Sequence, residues 1–597
     1  MAYNRAVEGF RDREYPMLKN KTYLDHGGTT LYAKSLIEEF SNSMISNLYG
    51  NPHSSSDPAQ LSSMHVDRTR EQALRFFNAD PEYFDLVFTA NATAAIKLVA
   101  DSFRDLATSS STGSFWYGYH KDAHTSLVGV RELTGGDHHC FGSDEEVEEW
   151  LDGKFPMSTL GKGEEGEVPG LFAYPGQSNM TGRRLPLSWT GRLRRSPVSA
   201  HQNTYSLLDA AALATNCPID FSNPDTAPDF TVVSFYKIFG FPDLGALIVR
   251  RSSAHILSWR KYFGGGTVSA LTVFPATVQR KDTTIHDALE DGTLPFHNII
   301  ALGCALRVHK RLFGSMKMIS RHTTFLAQRL YQGMLALRHI NGRPLCDFYN
   351  DNPDCSPYSV PKNQGATVAF NIIGADGTYI AHSLVESLAN EKQIFLRSGG
   401  LCNPGGVASY LKVEPWQFKR AWSSGYRCGD SRDLEIIHGK PMGVVRASLG
   451  AMTTIADVDN LLTFLAETFL HPTQDLAIRE ISLDEGIAFV DESPKEAHFQ
   501  IRNKQAGYLP KHVRRAVVPD QTPSIPLEKI YSPTGSETFI LSPYCPPKIP
   551  TTSVGSKAIT ELNGTSMPPS RRLSRPLKTK LLSWKSMTSL REHVSAR

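Results

Sequence analysis

Three residues of this 597-residue chain have the type and placement to do chemistry: Lys237, Asp209 and Cys402. Lys237 lies between two apolar, β-branched runs, Phe230 to Phe235 and Leu244 to Val249, which predict buried strands joined by a loop with Gly240, Pro242 and Gly245. A lysine just past a strand end, half out of water, can have a lowered pKa and act as a nucleophilic amine, the form needed for a Schiff base with a carbonyl or with pyridoxal phosphate. The same position also suits an ordinary solvated loop lysine. Asp209, in Tyr205-Ser-Leu-Leu-Asp-Ala-Ala-Ala, closes another apolar run. Ligands of open α/β sheets bind at the carboxyl ends of strands, so this acid and this amine can face one cavity. Pyridoxal phosphate needs such a pair, a lysine for its aldehyde and an aspartate for its ring nitrogen. The alternative for Asp209 is an N-cap of Ala210 to Thr215. Cys402 sits in Arg397-Ser-Gly-Gly-Leu-Cys-Asn-Pro-Gly-Gly406, where four glycines and a proline predict a mobile loop able to approach a ligand closely. With Arg397 nearby the thiol can be largely thiolate, although many cysteines are inert core residues.

The elements that must position these residues alternate between strand and helix. Asp85 to Leu98 reads as strand, tight turn and helix, and a helix starting near Thr93 offers free backbone N–H groups and its positive dipole end to a phosphate, unless Asn91 or Thr93 merely caps it. Phe115 to Tyr119, Gly170 to Tyr174 and Thr204 to Leu208 add strand-like segments, and this alternation predicts a mostly parallel α/β sheet. A short strand and glycine turn at Lys21 to Tyr32 precede helical segments at Lys34 to Leu48 and Pro58 to Phe77. Lys154 to Pro169 and Thr190 to Asn203 read as surface loops. Helical periodicity returns from Ile299 to Leu337, and Gly365 to Leu470 reads as mixed α+β. The expected domains are a large one over 1–300, a smaller one over 301–470, and a Pro/Ser-rich tail over 471–597 that is largely disordered. Its last stretch, Ser570 to Arg597, holds eight Lys or Arg against the single acid Glu592, which also fits a basic docking segment.

Composition narrows the function classes. Forty per cent hydrophobic and 21 per cent charged residues with a formal charge of +3 are ordinary for a globular protein and argue against a nucleic-acid partner. No apolar run approaches a bilayer span, and the charged amino terminus has no signal-peptide core, so no membrane partner is expected. Eight scattered cysteines lack zinc spacing, which predicts no metal site and a reducing, cytoplasmic setting.

Taken together, the motifs Tyr23-Leu-Asp-His-Gly-Gly-Thr-Thr, Phe88-Thr-Ala-Asn-Ala-Thr-Ala-Ala, Ser234-Phe-Tyr-Lys-Ile-Phe-Gly, Glu290-Asp-Gly-Thr-Leu-Pro-Phe and Arg397-Ser-Gly-Gly-Leu-Cys-Asn-Pro-Gly carry a resemblance spanning about residues 15 to 470. The chain resembles the class V branch of fold-type I pyridoxal-phosphate enzymes, specifically the cysteine desulfurases, and among them the N-terminal domain of molybdenum cofactor sulfurases. The resemblance implies that Lys237 bonds the cofactor aldehyde and moves the Cα proton, and that Asp209 pairs with the ring nitrogen. It implies that His124 stacks on the ring, that Asn179 lies beside it, and that Ala92, Thr93 and Ser234 hold the phosphate. Thr293 would reach the phosphate of a neighbouring subunit, so a homodimer is implied, and Arg446 would grip the substrate carboxylate, a task suited to a guanidinium fork. His124 and Arg446 also read, without the resemblance, as a hydrogen-bonded loop histidine and a surface strand arginine.

The implied activity is transfer of sulfur from L-cysteine, through a persulfide on Cys402, to the molybdenum cofactor or an enzyme carrying it. A class V aminotransferase-like enzyme with another amino-acid substrate, and a sulfurase-like protein without acceptor activity, are the alternatives. Two positions depart from many desulfurases: Tyr236 stands where histidine is common, which favours the molybdenum cofactor branch, and Ala212 stands where glutamine is common. Full molybdenum cofactor sulfurases carry a C-terminal MOSC domain; the residues after 471 do not read as one, with Ser524-Ile-Pro-Leu-Glu-Lys-Ile-Tyr531 a candidate vestige of its opening strand.

Overall fold

The computed structural model describes residues 3–110, 113–154, 168–350, 358, 360–423, 425 and 435–470. These belong to one compact unit, Met1–Glu485. The tail and its basic end, the MOSC vestige, and most of the loop expected over Lys154 to Pro169 lie outside the described residues.

A seven-stranded sheet organises the amino-terminal half, in the order Phe84–Thr89, Gly245–Arg250, Phe230–Ser234, Thr204–Asp209, Gly170–Pro175, Trp116–His120, His138–Phe141. Five neighbouring strands run parallel, and Gly245–Arg250 alone is antiparallel to both its neighbours. The expected mostly parallel α/β sheet is therefore present. Side-chain alternation packs both faces: Leu86, Phe88, Leu208, Val233 and Ile248 enter one core, while Val87, Leu207, Val232, Leu247 and Val249 enter the other. Burial on both faces explains why these strands read as continuous apolar runs.

Register sets out the working edge of the sheet. Gly245 pairs with Thr89 on one side and Ser234 on the other, and Asp209 pairs with Val232 and Pro175. Asp209, Ser234, Thr89 and Pro175 therefore end their strands along one rim. The helix Ala92–Ala107 follows Thr89 immediately and buries Ala95, Ile96, Val99 and Phe103. Lys237 lies three residues past the strand end at Ser234, just beyond it as expected, but within a short helix, Phe235–Phe239, terminated by Gly240 at φ 79°.

Helices Phe296–Phe313 and Met316–Ala336 follow the expected periodicity; Gly314 at φ 74° breaks the run and the Ser315 hydroxyl caps the second helix. The boundary read at residue 300 falls inside Phe296–Phe313, whose buried Ile299, Leu302 and Val308 join the large core. A second, four-stranded sheet orders Cys346–Phe348, Thr367–Ile372, Val444–Ser448 and Arg397–Gly399. Near the amino terminus, Thr22–Tyr23 pairs in parallel with Ile394–Phe395, and Asp25 bridges Ser448. One expectation fails: Thr190 to Asn203 is not a plain surface loop. It contains the end of helix Ser188–Arg194 and a short turn at Ser199–His201, with Leu193 and His201 buried. Arg192, Arg194 and Arg195 masked its apolar face in the sequence, whereas Arg192 pairs with Asp152 and Arg194 with Asp229 while Trp189 and Leu193 pack inward.

Candidate active site

The rim of the sheet opens into a cavity of about 180 Å³ lined by Asn91, Ala92, Thr93, Ile96, His124, Ser126, Pro175, Gln177, Asn179, Asp209, Ala211, Ala212, Ser234, Tyr236 and Lys237. Seven of the residues singled out from sequence, Ala92, Thr93, His124, Asn179, Asp209, Ser234 and Lys237, meet there.

At one end stands the start of helix Ala92–Ala107. Asn91 caps it, its side-chain oxygen accepting from Ala94 N at 3.0 Å, and the Ser234 hydroxyl accepts from Ala92 N at 3.2 Å. Thr93 and Ser126 share a hydroxyl hydrogen bond of 2.8 Å. Backbone N–H groups and hydroxyls thus converge at the positive end of a helix dipole, a setting that suits an anion. Gly245 permits the approach, because a Cβ there would lie 2.5 Å from Asn91 C and 2.6 Å from Asn91 Cα.

Lys237 and Asp209 face the cavity from adjacent strand ends. Burial lowers the Lys237 pKa below the usual lysine value, opposed by Asp209 and aided by Arg446 and Arg397. More of the free amine is therefore present near neutral pH than on an exposed lysine. The Asp209 carboxylate is 8% exposed and accepts from Ala211 N at 2.9 Å. His124 opens a short helical turn, and its Nδ1 accepts from Ser126 N at 3.1 Å. Burial lowers its pKa too, with Asp209 opposing, so the ring is held neutral.

Arg446 stands outside the cavity lining on Val444–Ser448 and is buried, 3% exposed, rather than a surface strand arginine. Its guanidinium donates to Asn179 O at 2.8 Å and to Asp25 Oδ1 at 2.5 Å. Asn179 therefore touches both the cavity and the arginine.

The Cys402 loop departs from expectation. It was expected to be mobile, yet it is tied at three successive residues. Asn179 Nδ2 donates to Leu401 O at 2.7 Å and Thr125 N to Cys402 O at 2.9 Å, while Asn403, fully buried, donates to Asp122 O and Asn179 Oδ1. Two of the glycines serve close packing: a Cβ on Gly405 would lie 2.2 Å from Lys121 O and one on Gly406 2.7 Å from Asn403 Oδ1, whereas Gly399 holds φ 98°. Leu401 and Cys402 both hold positive φ, 53° and 54°, an arrangement these ties maintain. Cys402 is half-buried and outside the cavity lining, one residue's hydrogen bond from His124. Thr293 is exposed on the segment before Phe296–Phe313 and does not line this cavity.

Sequence reasoning missed Asn91, Ser126 and Gln177 as lining residues, and Asp25 as the partner of Arg446. Gln177 lies two residues before Asn179, and Asp25 inside a quoted motif; their roles depend on contacts far along the chain, which no local pattern encodes. Among the described residues no cluster of three His, Cys, Asp or Glu is placed to hold a metal ion, and no helix is long and apolar enough to cross a membrane.

The donor set fits pyridoxal phosphate: a buried amine for the aldehyde, a carboxylate for the ring nitrogen, a neutral imidazole lining the same cavity, and N–H and hydroxyl donors for the phosphate. Fold and cavity together define a pyridoxal-phosphate protein of fold type I. The model of the family described as aminotransferase class-V matches residues 22–461, and the chain belongs to that family. It is 54% identical over 475 residues to a molybdenum cofactor sulfurase of Aspergillus niger, covering 79% of this chain and 55% of that protein. It is 55% identical over 470 residues to a molybdenum cofactor sulfurase of Aspergillus clavatus, covering 79% and 54%. The chain thus spans about half the length of the curated relatives it matches. The fold is shared with a cysteine desulfurase from Thermococcus onnurineus NA1, with a TM-score of 0.58 at 17% identity over 79% of this chain and 99% of that one.

Proposed function

We propose that this chain is a pyridoxal-phosphate-dependent cysteine desulfurase that takes sulfur from L-cysteine onto Cys402 and passes it to the molybdenum cofactor, or to an enzyme carrying it. The observation that carries the reading is one cavity gathering Lys237, Asp209, His124 and a helix start, with the Cys402 backbone bonded to the neighbour of His124. Similarity to molybdenum cofactor sulfurases supports the choice of acceptor.

In this reading pyridoxal phosphate supplies an electron sink that stabilises charge at the substrate Cα. Lys237 would bond its aldehyde, and the Lys237 amine would move the Cα proton. Asp209 would pair with the ring nitrogen, His124 and Asn179 would hold the ring, and Ala92, Thr93 and Ser234 would hold the phosphate. Arg446 grips the substrate carboxylate as a buried two-pronged donor. The Cys402 thiolate would attack the substrate sulfur; an S–S bond forms as the C–S bond breaks, the bonding electron pair stays with the carbon skeleton, and that skeleton takes a proton from water at Cβ, regains its Cα proton from Lys237 and leaves as alanine. Cys402 is then a persulfide whose outer sulfur moves to the acceptor.

The finer assignments are of the same kind. Thr293, exposed and outside its own cavity, reaches the phosphate of a neighbouring copy, which makes the working unit a homodimer in the cytoplasm. We divide the chain into a large domain to about residue 300, a small one to 470 and the remainder, and assign it neither a nucleic-acid nor a membrane partner.

The test is purified full-length protein given L-cysteine. It should bind pyridoxal phosphate with visible absorbance, release sulfide under reductant, and lose that release in Cys402→Ala while keeping the colour. Keto-acid formation without sulfide would assign an aminotransferase with another amino-acid substrate; failure to bind pyridoxal phosphate would leave a non-catalytic sulfurase-like protein.

A further inference from the structure

Arg446 already holds a carboxylate, and it belongs to the chain itself. Asp25 Oδ1 lies 2.5 Å from an Arg446 terminal nitrogen, the other terminal nitrogen donates to Asn179 O, and Nε is buried without a partner. The pair is asymmetric in exposure: the arginine side chain is 3% exposed and the aspartate 18%. The motif around Asp25 is built to hold this contact. Leu24 O accepts from Ser448 N at 2.7 Å and Gly27 N donates to the Ser448 hydroxyl at 2.8 Å, which clamps the turn to the Arg446 strand. Gly27 and Gly28 fold tightly around the pair, since a Cβ on Gly27 would lie 3.1 Å from Arg446 Cζ and one on Gly28 2.5 Å from Asp25 Oδ2.

We propose that Asp25 is an internal competitor for the substrate carboxylate, a positioning residue that holds the Arg446 guanidinium in place and gives way at its terminal nitrogen when an amino acid is gripped. The inference rests on the reading of Arg446 as the carboxylate ligand. A buried guanidinium without a counter-charge is costly, so the chain supplies one. A guanidinium has five N–H donors and two are engaged here, one on each terminal nitrogen, so a second carboxylate that forks across both terminal nitrogens shares one of them with Asp25 and competes with it. Asp25 is the more exposed partner, so its side chain is the member of the pair that can turn away while the clamped backbone stays in place. The consequence is selectivity: ligands that lack a carboxylate have nothing to exchange for Asp25, and weak carboxylates do not repay its displacement.

The experiment uses the full-length protein loaded with pyridoxal phosphate. Asp25→Asn should lower KM for L-cysteine by about tenfold, with kcat changing by less than KM, because the competitor is gone. Asp25→Ser should in addition become competitively inhibited by acetate at concentrations that leave the unsubstituted protein unaffected, a signature that mere loss of structure does not produce. A KM that rises or stays level in Asp25→Asn, with no new acetate inhibition in Asp25→Ser, overturns the proposal. Arg446→Lys separates the two readings: an unchanged KM there refutes Arg446 as the carboxylate ligand itself. If neither Asp25 variant folds, a crystal structure of the unsubstituted protein with 3-mercaptopropionate decides. Its carboxylate on Arg446 with Asp25 displaced supports the proposal, and Asp25 still paired with the ligand bound elsewhere overturns it.

Discussion

Gly245→Ala is the perturbation whose effect follows most directly from coordinates. The glycine sits where the antiparallel strand begins, opposite Thr89 and Ser234, and the turn that starts helix Ala92–Ala107 lies across it. A methyl group there would be 2.5 Å from Asn91 C, 2.6 Å from Asn91 Cα and 2.9 Å from Val233 O, all backbone atoms that no rotamer can move aside. Ordinary carbon contacts lie near 3.5 Å or beyond, so the Asn91 turn must retreat by roughly 1 Å. Overpacking of this kind costs about 1–3 kcal/mol. That turn carries Ala92 N and Thr93, so the strain falls on the phosphate end of the cavity, and the corresponding loss in affinity is about 5- to 150-fold. Titration of the cofactor-stripped protein with pyridoxal phosphate, followed by visible absorbance, measures it, with thermal melting alongside. Gly129→Ala is the control, since a Cβ there meets no atom within 4 Å. Unchanged affinity and melting temperature in Gly245→Ala would refute the argument that this close approach shapes the phosphate site.

Other outcomes follow from the same structure. Lys237→Ala should abolish the visible absorbance of bound pyridoxal phosphate while leaving far-ultraviolet circular dichroism intact. Glu290→Gln should destabilise the fold by about 3–5 kcal/mol in denaturant titration, the cost of breaking a buried pair; Glu290 makes two bonds to Arg70, at 2.6 and 2.9 Å, and accepts from Phe88 N. Acid should destabilise the protein early. Burial lowers the pKa of His26 to about 3 and those of His201 and His322 to about 4, all from 6.5, so the unfolded chain binds more protons below pH 6.5. Their stabilising effect is complete above that pH and falls away towards pH 4, each costing on the order of 1 kcal/mol per pH unit, which melting curves from pH 7 to 5 should show.

Legibility differed by residue, for physical reasons. Lys237 and Asp209 could be read because a sheet buried on both faces writes its strands as apolar runs, and a charge at the end of such a run stands out against them. Thr93 and Asn91 were legible as a helix start, since capping chemistry is local. The Cys402 loop was misread because glycine looks the same in sequence whether it gives freedom or close packing; only the neighbouring Lys121 carbonyl distinguishes them. Asp25 went unread as a partner of Arg446 because the two lie 421 positions apart and meet only where the first strand docks beside the last. The helix at Ser188–Arg194 was hidden by its own charges, which pair with Asp152 and Asp229 from an element anchored by Trp189 and Leu193.

The most direct measurement of the sulfur route is to incubate the full-length protein with 35S-labelled L-cysteine, isolate it without reductant, and then add a desulfo molybdenum enzyme. Label should appear on the peptide containing Cys402, be released by a thiol reductant, and move to the molybdenum enzyme as that enzyme gains activity. Label that is found on another cysteine, or sulfide release that persists in Cys402→Ala, would contradict Cys402 as the sulfur carrier.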